Sequence, residues 1–374
     1  MSLHLFNGFN TRLINTYNEM KTYTFFSTLT LVALMFVGVS MSYGQAGLTP
    51  DTEVTTDKRG QTGMKFLSVS VDARSAAIGS AMTAEMSGSS VSMFSNPASM
   101  GFMEGRMHSA ATTMSYIADI NYTQASIAFR PSQVVNYGVV GVSIVSVDYG
   151  DFIGTIRANN DDGFVETGNY SPTAMALGIG YARSFGDRFS AGANIKVVYQ
   201  DFGSGFATSQ NFDSGEVLTT DEYNLQSVAF DFGIVYATGF ESLVIGMSAR
   251  NFSGEQTYVR ERFELPLTFQ IGVSMNLVDL TSMNPDMHNI QLHVDAQRPR
   301  DFAEHIRFGL EYTLMDIVSL RGGFQQLGVS EEQGFSAGAG LKYGFGNLRF
   351  GADYAYTQFG VFGAVNRISV QIGL

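Results

Sequence analysis

From about residue 105 to its carboxyl end, the sequence alternates large apolar residues with small or polar ones. In the stretch 173–184, for example, Met175, Leu177, Ile179 and Tyr181 alternate with alanine and glycine. A period of two places the two sets on opposite faces of a β-strand. Fourteen such segments can be delimited, at 106–118, 120–130, 135–149, 172–185, 188–202, 225–238, 242–252, 263–278, 288–297, 304–315, 317–327, 334–345, 347–358 and 364–374. The pattern predicts an all-β protein.

Two architectures share this alternation. A soluble sandwich buries the apolar face, whereas a membrane barrel turns it toward lipid and keeps the polar face in its lumen. The segments are longer than the roughly 5–6 residues usual in soluble sheets, and short and long connections alternate between them. Only 15% of the residues are charged, against roughly 25% in soluble domains. We therefore expect residues 106–374 to form a fourteen-stranded antiparallel transmembrane β-barrel, surrounded by lipid in the outer membrane of a cell.

The amino-terminal residues have the organisation of a secretory signal. An apolar stretch at 25–39 follows Lys21 and precedes the small residues of 40–46. It is shorter than the ~20 residues that a membrane-spanning helix requires. We expect a signal peptide at residues 1–46, with translation starting at Met20, and a short linker at 47–59. An uncleaved signal anchor is the alternative.

Residues 60–105 break the alternation. They are rich in glycine, serine, alanine and methionine, and their apolar residues follow no clear period. In two of the predicted strands, at 174–182 and 336–340, the inward positions are mostly small, which leaves space inside a barrel. We therefore expect 60–105 to fold in the lumen as an amino-terminal plug.

Charged residues fall on the predicted lumenal face of many strands. We expect them to pair with one another and with carboxylates of the plug such as Asp72 and Glu85, and the alternative is a polar path or gate. The candidate lumenal charges are Arg183, Lys196, Asp231, Arg250, Asp295, Arg307, Glu311, Lys342, Arg349, Asp353 and Arg367.

Composition argues against several functions. The formal net charge of −12 is unsuited to a nucleic-acid partner, which needs a basic surface. The absence of cysteine removes thiol catalysis, disulfides and cysteine-ligated metals. The five histidines show no metal-ligand spacing, and no catalytic set stands out. We expect no enzyme activity, no metal and no cofactor.

The plug carries several short motifs in a fixed order. Asp72-Ala73-Arg74 and Gly79 lie in FLSVSVDARSAAIGSA, and Asn96-Pro97-Ala98 lies in FSNPAS. This order resembles the PorV/PorQ family, relatives of the FadL-type outer-membrane transporters. The closing stretch GNLRFGADYAYTQFGVFGAVNRISVQIGL resembles the family's last hairpin. The resemblance implies a FadL-like fourteen-stranded barrel with an amino-terminal hatch.

Two functions follow from this resemblance. PorV-like proteins imply a partner-binding barrel that meets proteins of type IX secretion, with the outer loops 150–171 and 203–224 as its contact surface. FadL-like proteins imply the alternative, a transporter of hydrophobic small molecules in which the plug shifts around Asn96. For the plug motif we expect Asp72 and Arg74 to meet wall charges such as Arg349 and Asp353.

Overall fold

The chain forms one closed antiparallel β-barrel in a computed structural model, which describes residues 60–157, 159–207, 219–258, 261–326 and 334–374. The predicted signal peptide and linker lie outside the described residues. The strands are β1 (Met107–Ser115), β2 (Asn121–Phe129), β3 (Val139–Asp148), β4 (Phe152–Arg157), β5 (Phe164–Tyr170), β6 (Thr173–Phe185), β7 (Phe189–Ala207), β8 (Thr219–Ala237), β9 (Val244–Phe252), β10 (Gln256–Tyr258), β11 (Glu261–Phe263), β12 (Thr268–Asn276), β13 (His288–Pro299), β14 (His305–Leu314), β15 (Val318–Gln326), β16 (Phe335–Phe345), β17 (Leu348–Gln358) and β18 (Ala364–Gly373).

Fourteen of these strands form the wall. Around the barrel they run β1-β18-β17-β16-β15-β14-β13-β12-β9-β8-β7-β6-β3-β2, and β2 pairs with β1 again. The first and last strands close the ring in a register that places Met114 opposite Arg367. Closure leaves no unpaired strand edge, as the bilayer interior demands. The predicted fourteen-stranded barrel is confirmed.

The two faces of each wall strand differ as expected for a membrane barrel. On β6 every outward residue is exposed and every inward residue is buried. Leu177 on β6, Ile271 on β12 and Leu310 on β14 project outward, with 44%, 40% and 46% of their surface exposed. Such an apolar exterior suits lipid and not water.

Connection length distinguishes the two ends of the barrel. At one end, several strand pairs are joined by tight turns, such as those from Phe185 to Phe189 and from Phe345 to Leu348, and two connections there, 130–138 and 277–287, are longer. At the other end, two extra hairpins, β4–β5 and β10–β11, rise outside the wall. Outer-membrane barrels keep short turns in the periplasm and long loops outside the cell. We therefore assign the end that carries the hairpins to the extracellular side.

The connections depart from the prediction at four places. The predicted loop 203–224 is shorter than expected, because β7 extends to Ala207 and β8 begins at Thr219. The predicted loops 150–171 and 253–262 are not irregular, because β4–β5 and most of β10–β11 fold there. The predicted strand 263–278 begins only at Thr268. Pro266, which cannot donate a ladder hydrogen bond, lies before this strand and not within it.

Residues 60–105 wind through the lumen as the predicted plug. They contain one α-helix, α1 (Ala73–Ala77), and three short 3-10 helices, Lys65–Ser68, Ser90–Phe94 and Pro97–Phe102. The plug ends beside the carboxyl terminus, where the amide of Arg106 donates a hydrogen bond to the carbonyl oxygen of Leu374. In the described part of the chain no helix is both long and apolar enough to cross a membrane.

Candidate functional site: the plugged lumen

The plug backbone approaches the wall at inward glycines. A Cβ atom on Gly192 of β7 would lie 2.7 Å from the amide nitrogen of Ala98, and one on Gly338 of β16 would lie 2.5 Å from the Cβ of Ala77. Seven further wall glycines would meet plug atoms at similarly short distances, namely Gly141, Gly180, Gly233, Gly246, Gly272, Gly309 and Gly323. Side chains there would push the plug off the wall. The small inward residues of the sequence therefore make room for the plug.

Asp72 fixes the start of α1 and joins it to the wall. Its Oδ2 accepts a hydrogen bond from the amide of Ser75 (2.8 Å), which is an N-cap contact. Its Oδ1 accepts one from the hydroxyl of Ser369 on β18 (3.3 Å), and the amide of Ala73 donates to that same hydroxyl oxygen (2.9 Å). Asp72 is thus the N-cap of a short helix that begins at Ala73.

Arg74 is the centre of a buried charge network. Its Nε donates to Glu311 of β14 (2.9 Å) and one of its terminal nitrogens donates to Glu85 of the plug (3.2 Å). Glu311 also pairs with Arg321 of β15, which in turn bonds Asp353 of β17 at 2.6 Å. The network ties the plug to three wall strands. A buried charge of this kind is costly once it loses its partner.

Electrostatics keep the plug groups of this network charged. Burial alone lowers the pKa of Arg74, but the carboxylates of Glu311 and Glu85 outweigh it and raise the pKa above its ordinary value. Burial raises the pKa of Glu85, yet Arg74 reverses the effect and holds that pKa below its ordinary value. For Asp72 burial dominates and raises the pKa, although the Ser75 amide opposes it.

Asn96 connects two parts of the plug to the wall. Its Oδ1 accepts from the amide of Ala98 (3.1 Å) and so caps the 3-10 helix that begins at Pro97, whose fixed φ suits the first helical turn. Its Nδ2 donates to the carbonyl oxygens of Thr83 (2.7 Å) and of Ile234 on β8 (3.1 Å). The side chain is completely buried. Asn96 thus joins two parts of the plug to β8, and a longer contact with the carbonyl oxygen of Met247 (3.4 Å) adds β9.

The remaining motif residues also contact the wall. Gly79 has a φ of +65°, and a Cβ there would lie 2.8 Å from the carbonyl oxygen of Phe308, so this position needs glycine. Its amide donates to the hydroxyl of Ser336 on β16 (3.2 Å). The carbonyl oxygen of Ala98 accepts from the hydroxyl of Ser190 on β7 (2.7 Å).

Eight of the candidate lumenal charges project into the barrel. Arg250 and Arg307 are half-buried and reach plug carbonyl oxygens, those of Leu67 and Ser80. Asp295 accepts from the amide of Thr83 (2.9 Å). The others are buried in the wall face: Lys196, Asp231, Glu311, Asp353 and Arg367.

Three candidate charges lie elsewhere. Arg183 is on the outer face of β6, where its guanidinium lies 5.6 Å from the ring centre of Phe185. It follows Tyr181 by two residues and therefore shares the lipid-facing side. Lys342 and Arg349 are exposed at the periplasmic rim, where they pair with Asp316 (3.1 Å) and Glu104 (3.7 Å). The expected contact between Arg349 and the plug motif is therefore wrong.

Asn251 is a lumenal residue that the sequence did not reveal. It has a left-handed φ of 60° beside an irregularity in the β8–β9 register. This turn brings its amide within 2.7 Å of Asp231, whose carboxylate also pairs with Lys196 (2.8 Å). Asparagine tolerates this backbone region better than most residues, which is the one sequence signal for such a bulge.

An internal cavity of about 60 Å³ lies between the plug and the extracellular half of the wall. Its plug side mixes large apolar residues with small polar ones, and its wall side carries mostly polar groups. The large apolar residues include Phe66, Leu67, Val71, Met82, Met93 and Phe94, and the polar groups of the wall include Lys196, Arg250, Asn251, Gln270, Gln297 and Arg307. Among the described residues, no three histidine or carboxylate side chains are grouped so that they could hold a metal ion.

Comparison with known proteins identifies the fold. The toluene transporter TbuX of Ralstonia pickettii is 12% identical and superposes with a TM-score of 0.51 over 80% of this chain and 96% of its own. A FadL homologue of Pseudomonas aeruginosa is 11% identical, with a TM-score of 0.51 over 81% of this chain and 97% of its own. No family model matches the sequence, and no curated protein matches it.

The fold is therefore that of a FadL-like outer-membrane barrel. The superposition spans nearly the whole length of both neighbours. The protein is located in the outer membrane.

Proposed function

We propose that the protein carries hydrophobic small molecules across the outer membrane. The observation that carries this proposal is the lumenal cavity, whose plug side presents phenylalanine, leucine, valine and methionine side chains. Apolar ligands bind in cavities with such linings, and methionine adapts to different ligand shapes. TbuX, a toluene transporter, has the same fold. The barrel is here a conduit without catalytic activity.

Passage requires the plug to move, because it occupies the lumen at rest. The two ends of the plug are held differently. The segment near Asn96 is fixed by hydrogen bonds to the wall, whereas Phe66 and Leu67 are packed on apolar wall side chains. A hydrophobic ligand can replace apolar contacts without leaving polar groups unpaired. Displacement of the apolar part of the plug by a ligand therefore has the smallest free-energy cost.

Uptake into proteoliposomes tests this function. Ala176 of β6 lines the cavity and is 4% exposed, so Ala176→Phe should fill the space and abolish uptake of toluene or a longer apolar probe. Ala296→Phe on the lipid face of β13 is the matched control and should transport normally. Equal uptake by the two variants, or none by the unmodified protein, would refute the proposal.

A second candidate is partner binding in type IX secretion, as the PorV/PorQ resemblance implies. It is supported by the order of the plug motifs and by the extracellular hairpin β4–β5. That hairpin exposes 63% of Ile153 and nearly half of Phe152, Phe164 and Val165. Exposed apolar groups on a surface hairpin suit a protein partner. Co-purification of secretion proteins with the folded barrel, lost on deletion of 151–171, would support this role.

A further inference from the structure

The start of the plug lies at the extracellular mouth of the barrel. Thr62 pairs with Glu264 just before β12, and the amide of Gly63 donates to the carbonyl oxygen of Glu264 (3.1 Å). The end of the plug, at Gly105, lies beside Leu374 at the periplasmic end. The plug therefore runs through the lumen from the outside inward, and its first residues cover the mouth.

One carboxylate holds these first residues in place. Asp301, in the connection from β13 to β14, accepts a hydrogen bond from the hydroxyl of Thr62 (2.9 Å) and pairs with Lys65. Lys65 also lies 5.1 Å from the ring centre of Phe302. Asp301 is 2% exposed, whereas Lys65 remains nearly half exposed. The buried carboxylate of Asp301 is therefore paired with an ammonium group that solvent can reach.

The same residues roof the cavity. Phe66, Leu67 and Val71 line it and are at most 7% exposed. They pack on apolar wall residues of the extracellular half, including Met114, Tyr122, Val147, Ala176 and Phe359. We call residues 62–71 the arm. Its contacts with the barrel are apolar on one side. Its polar contacts are with the carboxylate of Asp301, the backbone of Glu264 and the guanidinium groups of Arg250 and Arg367.

The body of the plug is anchored independently of the arm. Asp72 bonds β18, Arg74 bonds β14, and Asn96 bonds β8 and β9. Between the arm's 3-10 helix and α1, residues 69–72 form neither helix nor strand. These residues form an irregular joint between the arm and the body of the plug, and Arg367 of β18 donates to the carbonyl oxygen of Ser70 within it (3.0 Å).

We propose that the arm is an extracellular lid over the cavity and that Asp301 is its latch. The lid opens when Thr62 and Lys65 leave Asp301, and the backbone bonds of Gly63 to Glu264 and of Leu67 to Arg250 break with it, while the body of the plug stays in place. An apolar molecule that enters takes over the contacts that Phe66 and Leu67 release. The lid rests on the geometry of the arm, and its role in admitting a ligand rests on the proposed function.

Thiol labelling tests the lid without any transport assay, because the chain has no cysteine of its own. Ser143 of β3 lines the cavity and is 4% exposed, so Ser143→Cys reports access to it. A small charged methanethiosulfonate should modify Ser143→Cys slowly in the purified barrel. Asp301→Ala should speed the modification several-fold. Glu304→Ala, in the same connection but paired only at the surface with Arg298, should not.

Two further variants complete the test. Lys65→Met removes one latch partner from an exposed position and should also speed labelling if Asp301→Ala fails to fold.

The pair Thr62→Cys with Asp301→Cys should lock the arm on oxidation, and a reductant should restore uptake of an apolar probe. Unchanged labelling in both Asp301→Ala and Lys65→Met would overturn the lid. Faster labelling without any apolar uptake would retain the lid and reject the proposed function.

Discussion

The guanidinium of Arg74 in the plug lies 2.9 Å from the carboxylate of Glu311 on β14, with both groups enclosed by the barrel. Glu85 and Arg321 extend this contact on its two sides. Plug and wall therefore share one charge network, and its members depend on each other for their stability. Replacing Arg74 leaves Glu85 buried without this partner, whereas Glu311 keeps its pair with Arg321.

Arg74→Ala should loosen the plug while the barrel remains folded. Loss of one partner from a buried pair costs about 3–5 kcal/mol, but the wall strands keep their own ladder hydrogen bonds. Amide hydrogen exchange should accelerate across 72–86 and stay slow in β14. Arg349→Ala, which removes an exposed pair with Glu104, is the control and should change neither region. Slow exchange throughout Arg74→Ala would contradict the network.

Asn96→Ala should weaken the junction of the plug with β8 and β9. The variant loses the cap on Ala98 and leaves the buried Thr83 carbonyl oxygen without this donor, at a cost of about 1–3 kcal/mol. Thermal unfolding followed by circular dichroism should show a lower midpoint. Asn121→Ala, at an exposed asparagine with one local hydrogen bond, should unfold like the parent. An unshifted midpoint for Asn96→Ala would show that the junction carries little stability.

Charge on the outer face should destabilise the barrel in the membrane. Leu177→Arg, Ile271→Arg and Leu310→Arg each place a cation on an exposed apolar surface, which costs about 2–4 kcal/mol near the bilayer midplane. Denaturant titration in lipid vesicles measures the loss. Gln226→Arg, at an exposed polar position of β8 beyond its apolar stretch, should have little effect. Soluble monomeric refolding of the parent in plain buffer would contradict the membrane assignment.

Removal of residues 365–374 should prevent assembly. These residues form nearly all of β18, which pairs with β17 on one side and with β1 on the other. The truncated chain would expose two strand edges in a medium that cannot satisfy them. We expect no heat-modifiable band on electrophoresis and rapid degradation in the periplasm. Normal surface display of the truncated protein would show that closure does not depend on β18.

The alternation of apolar and small or polar residues was sufficient to predict the strands of the wall. The side of the sheet to which each side chain points depends only on its position along its own strand. The predicted segment 172–185 and the observed β6 (Thr173–Phe185) differ by one residue. The helix α1 was missed, since five residues are too few to show a helical period. Arg183 lies on the outer face and not in the lumen, and its spacing of two residues from Tyr181 is the sequence feature that indicates this side.

The partners of the plug motif could not be predicted in the same way. Arg74 and Glu311 are 237 residues apart, and only closure of the barrel brings them together. The sequence places Arg74 in the plug and Glu311 on the lumenal face of a strand. It does not indicate that these two residues pair with each other. The latch between Thr62 and Asp301 has the same origin, with 239 residues between its members.

Single-channel conductance in a planar bilayer tests the central claim most directly, namely that a folded plug closes a fourteen-stranded outer-membrane barrel. The intact protein should be nearly closed, because the plug fills the lumen from Thr62 to Gly105. Deletion of 60–104 should produce a steady open channel from an otherwise normal barrel. A large, steady conductance from the unmodified protein would contradict the account, since it would mean that the lumen is open at rest.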